Sequence, residues 1–426
     1  MEVTKTGLNA KTFNWSIKGK NMINTINLNE IYDHNINILI GSGASFPAIP
    51  TLKLELKQGD TAFTIETLAQ KLEQLEQKES LKTLLFMYYY ENCIKKCSGI
   101  NNERKENDNN TTKHETTMEN YKEFLQILLQ ILNRRKPDKH KSINIFTTNY
   151  DGYLEHSSDK LLQKRNDFVI NDGTSGFFTR HLNVHNFDSY VFDTGVFKKY
   201  TNYKPQLNLI HLHGSIYWQK NGVDKITVDY KNFEKQIEIQ ETQLKNFSAL
   251  IQDKEKTFED LIKAEFSIDK EHSNNFWQSY NQLPIVNPTK WKFHETVFEE
   301  HYYQMLRFMG YELEKNNSIL ITFGFSFADE HILNLVKRSL SNPTLKVFIV
   351  CYDETTKDSI NEKFKGYNNI TYIVDANEKL DFKKFNEKLN KGINRLNTTN
   401  NNVDETPSNQ VDTNLTASND SNEGVV

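Results

Sequence analysis

Short apolar runs that stop abruptly at small or polar residues recur along the chain. Asn35–Ile40 (NINILI) runs into Gly41-Ser42-Gly43-Ala44-Ser45, and Ile143–Phe146 runs into Thr147-Thr148-Asn149-Tyr150-Asp151-Gly152. Leu207–Leu212 ends at His213-Gly214-Ser215, and Ser318–Phe323 ends at Gly324-Phe325-Ser326. Runs of this length and composition, bounded by turn residues, predict buried strands. Leu345–Cys351 and Ile370–Val374 extend the set to about six strands. Helical patterns lie between them. The expected fold is therefore α/β and Rossmann-like, with a mostly parallel open sheet and helices on both faces.

Two stretches interrupt that alternation with helical spacing. Residues 51–140 read as helices: Phe63, Leu68, Leu72 and Leu75 recur on one face, then Leu81, Leu84, Leu85 and Tyr88, then Tyr121, Phe124, Leu125, Leu128, Leu129 and Leu132. The polar, Asn-rich stretch 98–118 between them is expected to be a loop. Residues 229–265 carry Ile237, Leu244, Phe247, Ile251, Phe258 and Ile262 among charged residues, which predicts a long amphipathic helix or a helical pair. The organisation expected is an arm over 1–30 and a domain over 31–395 with helical insertions at about 51–140 and 219–285. Residues 396–426 have almost no large apolar side chain and are expected to be a disordered tail.

Composition narrows the chemistry. The chain has 426 residues, 37% hydrophobic and 12% aromatic, enough for a packed core. Its net charge of −4 gives no general attraction to nucleic acid or to an anionic membrane. No apolar run has the length of a membrane span, and the opening MEVTKTGLNAKTFNW lacks the apolar stretch of a signal peptide. A cytoplasmic location is expected. Three cysteines, Cys93, Cys97 and Cys351, make neither a disulfide framework nor a four-cysteine zinc site. Burial as small apolar groups is the expected role.

The strand ends carry the candidate chemistry. In an open parallel sheet, ligands bind at the carboxyl ends of the strands. The glycines of Gly41-Ser42-Gly43 would let the backbone approach a pyrophosphate held by helix amides. Position 46 is Phe, so the full dehydrogenase fingerprint is absent. Asn149 and Asp151 are short polar side chains at a turn, where Asx residues also bond their own backbone. His213 precedes a glycine, which is expected to leave its imidazole room to face a pocket. An imidazole titrates near neutrality and suits proton transfer. His211 is expected to be structural, and Asp329 is expected to cap the helix that follows.

In order, these islands read GSGAS, TTNYD, HLHG and GFS, and they resemble the sirtuin family. The later wording, NPTK at 287–290 and then GFSFADEHI at 324–332, is similar to the sirtuin-like NAD hydrolases of bacterial anti-phage defence. That resemblance implies NAD+ as substrate, Asn149, His213 and Asp151 as catalytic residues, and Gly41, Ser42, Gly43, Ala44, Ser45, Thr148, Gly324 and Ser326 on the cofactor. It also implies a homo-oligomer and a HerA-type DNA-translocating ATPase as partner. The chain departs from sirtuin deacylases in two respects. Pro50 is followed by Thr51 and Leu52 where they carry Pro-Asp-Phe-Arg, and no cysteine lies between 98 and 350, where they carry four zinc ligands. Neither a structural zinc nor another metal is expected. The reading is an NAD+ glycohydrolase, with a non-catalytic NAD or ADP-ribose sensor as the alternative and a protein deacylase disfavoured.

Overall fold

The computed structural model describes residues 31–75, 78–98, 109–136, 139–222, 225–231, 237–287 and 296–401. The arm expected over 1–30, residues 288–290 of NPTK and the tail beyond 401 lie outside the described residues.

Seven strands form one sheet: β1 (Asn35–Ile40), β2 (Ser142–Thr147), β3 (Val169–Asn171), β4 (Gln206–His211), β5 (Ser318–Phe323), β6 (Lys346–Val350) and β7 (Ile370–Ile373). Their order is β7-β6-β5-β1-β2-β4-β3, and every pairing is parallel. The strands are short apolar runs because both faces are covered. Leu39 is in register with Phe146, whose ring meets Phe308 of the helix Thr296–Glu314. Ile40 is in register with Phe323, whose ring stacks on Phe385 of the helix Phe382–Asn401. Successive residues of a strand face opposite ways, so these helices cover opposite faces, and the fold is the Rossmann-like α/β architecture expected.

Three asparagines cross the middle of this apolar sheet. Asn37, Asn144 and Asn208 are aligned residue for residue on β1, β2 and β4. Asn144 Nδ2 donates to Asn37 Oδ1 at 2.9 Å, and Asn208 Nδ2 donates to Asn144 Oδ1 at 2.7 Å. Gln206 Nε2 extends the chain of amides to Asn208 Oδ1 at 2.8 Å. All four side chains are buried. A slip of one residue would turn these amides to the opposite face and break the ladder.

The ladder sets where the strands end. Ile40 is level with Phe323 and with Thr147, and Thr147 is level with His211. The backbone bonds continue one step further, from Gly41 N to Phe323 O at 3.0 Å, Thr148 N to Ile40 O at 3.1 Å and Leu212 N to Thr147 O at 2.8 Å. The four motifs therefore leave the sheet together. The chain also reverses direction here, since β2 lies on one side of β1 and β5 on the other. Such a switch point opens a crevice.

Several expectations for the flanking segments need correction. Residues 51–64 are not helical: Lys53–Gln58 and Thr61–Thr64 form a hairpin, with Leu54 and Leu56 buried between outward-facing Lys53, Glu55 and Lys57. Gly59, at φ +60°, makes its turn. The helices of that insertion begin with α1 (Ile65–Glu73) and α2 (Glu79–Tyr89). The loop expected over 98–118 is partly helix, because α3 spans Asn109–Asn133. Thr117 and Met118 are buried there, and the polar residues lie on the outer face. Residues 99–108 lie outside the described residues. The stretch 229–265 is a helical pair, α5 (Glu241–Ile251) and α6 (Phe258–Lys263), the second opened by a Thr257–Asp260 capping box. Between α3 and α5 lies α4 (Tyr153–Leu162). The seventh strand, β3, is a three-residue strand in the mixed stretch 165–206, where short strands or loops are expected, and it overlaps the brief apolar run Phe168-Val169-Ile170. The final helix continues to Asn401, six residues into the stretch expected to be disordered.

Asn144→Ala strands an acceptor on Asn37 and a donor on Asn208. It is expected to lower the free energy of unfolding by about 2–6 kcal/mol, at about 1–3 kcal/mol for each of the two buried groups left unsatisfied. Replacing Asn37, Asn144 and Asn208 together with valine is expected to cost less than the sum of the three single changes. Guanidinium denaturation checks both, and additive losses would contradict the ladder.

Candidate active site

After β1 the backbone tightens into a single turn over Ser42–Ala44. This turn and the one after β5 interlock, backbone against backbone. A Cβ on Gly41 would stand 2.4 Å from Gly324 O, and a Cβ on Gly324, at φ +64°, would stand 2.5 Å from Ala44 N. Gly43 N donates to Gly324 O at 3.0 Å, Ala44 N to Gly41 O at 3.0 Å and Ser45 N to Ser42 O at 3.2 Å. The amides of residues 43, 44 and 45 are thus engaged inside the turn. Phosphate binding was expected of them, but the glycines here serve the close approach of two strand ends. The cavity beside the turn receives Ser42 and Ser45 from it, while Gly41, Gly43 and Ala44 stand behind.

At the end of β2, Asn149 is held from several sides. Its backbone N–H donates to Thr147 Oγ1 at 3.0 Å. Its Nδ2 donates to Gly41 O at 3.2 Å, Ser45 Oγ at 3.1 Å and Tyr121 OH at 3.2 Å. With Nδ2 committed, Oδ1 is the atom left to accept a hydrogen bond from a ligand. Beneath it, Ser45 Oγ donates to Asp151 Oδ2 at 2.7 Å, and Tyr153 N donates to Asp151 Oδ1 at 3.2 Å at the start of α4. Burial pushes the Asp151 carboxyl up to about 6, against the opposing hydrogen bonds from Ser45 and Tyr153. Its contacts tie the turn together.

His211, the last residue of β4, braces Asn149 from behind. Its Nδ1 lies 3.2 Å from Asn149 O, and its Nε2 lies 2.5 Å from Glu155 Oε1. Burial alone would lower this imidazole, but the charge and hydrogen bond of Glu155 outweigh it, and the net shift is upward. His213 leaves the strand end on the other side of the crevice. Its Nε2 lies 3.1 Å from Asp329 Oδ2. Gly214, at φ +82°, is required by the backbone of Pro284, whose oxygen a Cβ would meet at 2.0 Å. That contact, rather than room for the imidazole, explains the glycine. It brings in the segment 284–287, where Val286 N donates to His213 O at 2.9 Å.

These groups share a cavity of about 600 Å³, within the range of about 300–1,000 Å³ common for small-molecule sites. Ser42, Ser45, Thr148, Asn149, Asp151, His213, Gly324 and Ser326 all line it. The first insertion supplies the opposite wall through Glu66, Thr67 and Tyr89. Cys93 and Cys97 lie there too; burial pushes the Cys93 thiol up to about 12, which leaves it unreactive. A smaller cavity of about 370 Å³ between α2 and the helix Lys270–Tyr280 carries none of the strand-end residues.

Sequence reading missed two contributors. Tyr121 sits on the apolar stripe of α3, yet its hydroxyl reaches Asn149 and lies 3.0 Å from Ser45 Oγ. Nothing in a helical stripe signals such a reach. Asp329 was expected as a cap and does cap its helix, accepting from His331 N at 2.8 Å and Ile332 N at 3.0 Å through Oδ1. Its other oxygen faces His213. Among the described residues, no group of three or more His, Cys, Asp or Glu side chains is placed to hold a metal, and no helix is long and apolar enough to cross a membrane.

A sequence profile of the SIR2-like domain matches residues 143–373. That span exceeds half the chain, and the chain belongs to this family, whose domains use NAD+. The matched span holds Asn149, His213 and Asp329, whereas the glycine turn at 41–45 precedes it and still lines the same cavity. No curated protein matches the chain.

Because the folded chain holds a proton on Asp151 up to about pH 6 and the unfolded carboxyl releases it near 3.8, stability falls as pH rises through that window and levels off above it. Asp151→Asn cannot ionise. Its stability relative to the wild type is expected to rise between about pH 4 and pH 7.5, by up to about 3 kcal/mol. Denaturation midpoints across that range check this, and a difference independent of pH would contradict it.

Proposed function

We propose that the chain is an NAD+ glycohydrolase, splitting NAD+ with water into nicotinamide and ADP-ribose, and that it acts as an NAD-depleting effector of anti-phage defence. The observation that carries this reading is the meeting of Asn149 and His213, remote in sequence, on one cavity at the switch point of a SIR2-like sheet. As nicotinamide leaves with the pair of electrons from its bond to the ribose, positive charge develops at the ribose carbon. Asn149 Oδ1 accepts from the attacking water or a ribose hydroxyl and orients it. His213 takes the proton released as the new C–O bond forms. The uncharged amide at 149 suits this, because a carboxylate there could itself attack the sugar. Asp151 acts one layer back, through Ser45, on the position of Asn149. The diphosphate would lie along Ser42, Thr148 and Ser326, on the side of the cavity where the β1 and β5 turns meet. Uncontrolled NAD+ hydrolysis is harmful to a cell, so we include control by assembly: a homo-oligomer working with a HerA-type ATPase.

Nicotinamide release from NAD+ is the test, with the protein alone and with such an ATPase. Asn149→Ala and His213→Ala are each expected to slow release at least about 100-fold in samples shown by circular dichroism to be folded. Equal rates in all three proteins would overturn the site, and no release by the wild type in any condition would favour the sensor reading.

A further inference from the structure

Asp329 stands at two junctions at once. Its Oδ1 closes the first turn of the helix Glu330–Ser339 by accepting from His331 N and Ile332 N. Its Oδ2 lies 3.1 Å from His213 Nε2, with both side chains about nine-tenths buried. The contact is close, though not aligned as a hydrogen bond. Such contacts tighten when a ligand closes the pocket. The backbone amides of His331 and Ile332 fix the carboxylate in place.

We propose that Asp329 is the positioning residue for His213, holding the imidazole as the tautomer with its proton on Nε2. A carboxylate can accept only from a protonated nitrogen, so Nδ1 becomes the basic atom. This rests on the reading of His213 as the base. It adds that the base is set from the far side of the crevice, by the helix that follows β5. The strand ends after β4 and β5 thereby cooperate although two strands of the sheet order, β1 and β2, separate them. Tyr302 packs against the imidazole at 6.1 Å between ring centroids, from the helix Thr296–Glu314. The other ionisable groups lining the cavity among the described residues include Glu66, Asp151, Glu330 and His331. The ion-pair contact of His213 Nε2 is the carboxylate of Asp329, at 3.1 Å.

Asp329→Asn tests this cleanly, because asparagine caps a helix as well as aspartate does, while the amide lacks the charge. The expected result with NAD+ is a kcat lower by at least about 10-fold, in the direction of the ~10⁴-fold loss seen when a carboxylate that orients a catalytic imidazole becomes an amide, with KM within about twofold and an unchanged melting temperature. The second readout is the ¹⁵N spectrum of histidine-labelled full-length protein at a pH where the ring is neutral, with His213 assigned by its substitution. The wild type should show the Nε2-protonated tautomer, and Asp329→Asn should show a mixture. An unchanged kcat, or identical His213 shifts in the two proteins, overturns the proposal. If the wild type cleaves no NAD+ but the tautomer preference still disappears in the variant, the positioning role stands and the catalytic reading of His213 falls.

Discussion

Register is the constraint on which everything else depends. Three buried asparagines hold β1, β2 and β4 level, each amide meeting the next. Apolar strands alone specify a face but tolerate a slip of two residues, since that returns the same side chains to the same side. A ladder of amides does not tolerate it, because every shifted amide would be buried without its partner. The ladder lies several residues below the strand ends. It therefore determines, from inside the core, that Thr148 and Leu212 emerge at one height beside Gly41.

A second constraint acts where the strands stop. The turns after β1 and β5 touch through glycine, with the carbonyl of Gly324 accepting from Gly43 N. This contact spends amides that could have held a phosphate. In return it brings two strand ends within a few ångströms, so that Ser42 and Gly324 line a common cavity. Asn149 bonds to the same turn through Gly41 O. The Asn149 side chain is thus placed by the scaffold that forms the crevice, and its carbonyl oxygen is what remains to meet a ligand.

The strand ends were legible in the sequence because they are local: an apolar run, a glycine or a short polar residue, and a new helix. β1 and β5 match their expected limits at both ends. The same locality explains the failures. Residues 53–57 alternate as Lys-Leu-Glu-Leu-Lys, but this period of two lasts only five residues, beside the strong helical stripes that follow. The start of α3 is polar, and its helicity comes from packing of Thr117 and Met118 that no local pattern announces. Asp329 was legible as a cap, because capping is decided within three residues. Its approach to His213 is decided by topology across 116 positions, read directly from the two numbers in the chain. The glycine turn was assigned its chemistry by type and not by contacts, which is why its amides were expected to face a ligand rather than Gly324.

The central claim is that the ends of β2 and β4 address the same sugar. A crystal structure of the full chain with a non-hydrolysable NAD+ analogue tests it most directly. The account predicts the nicotinamide ribose within hydrogen-bond distance of both Asn149 Oδ1 and the His213 ring, with the diphosphate along the Ser42 and Ser326 side. An analogue bound elsewhere, or bound in this cavity with its ribose touching only one of the two, would contradict it.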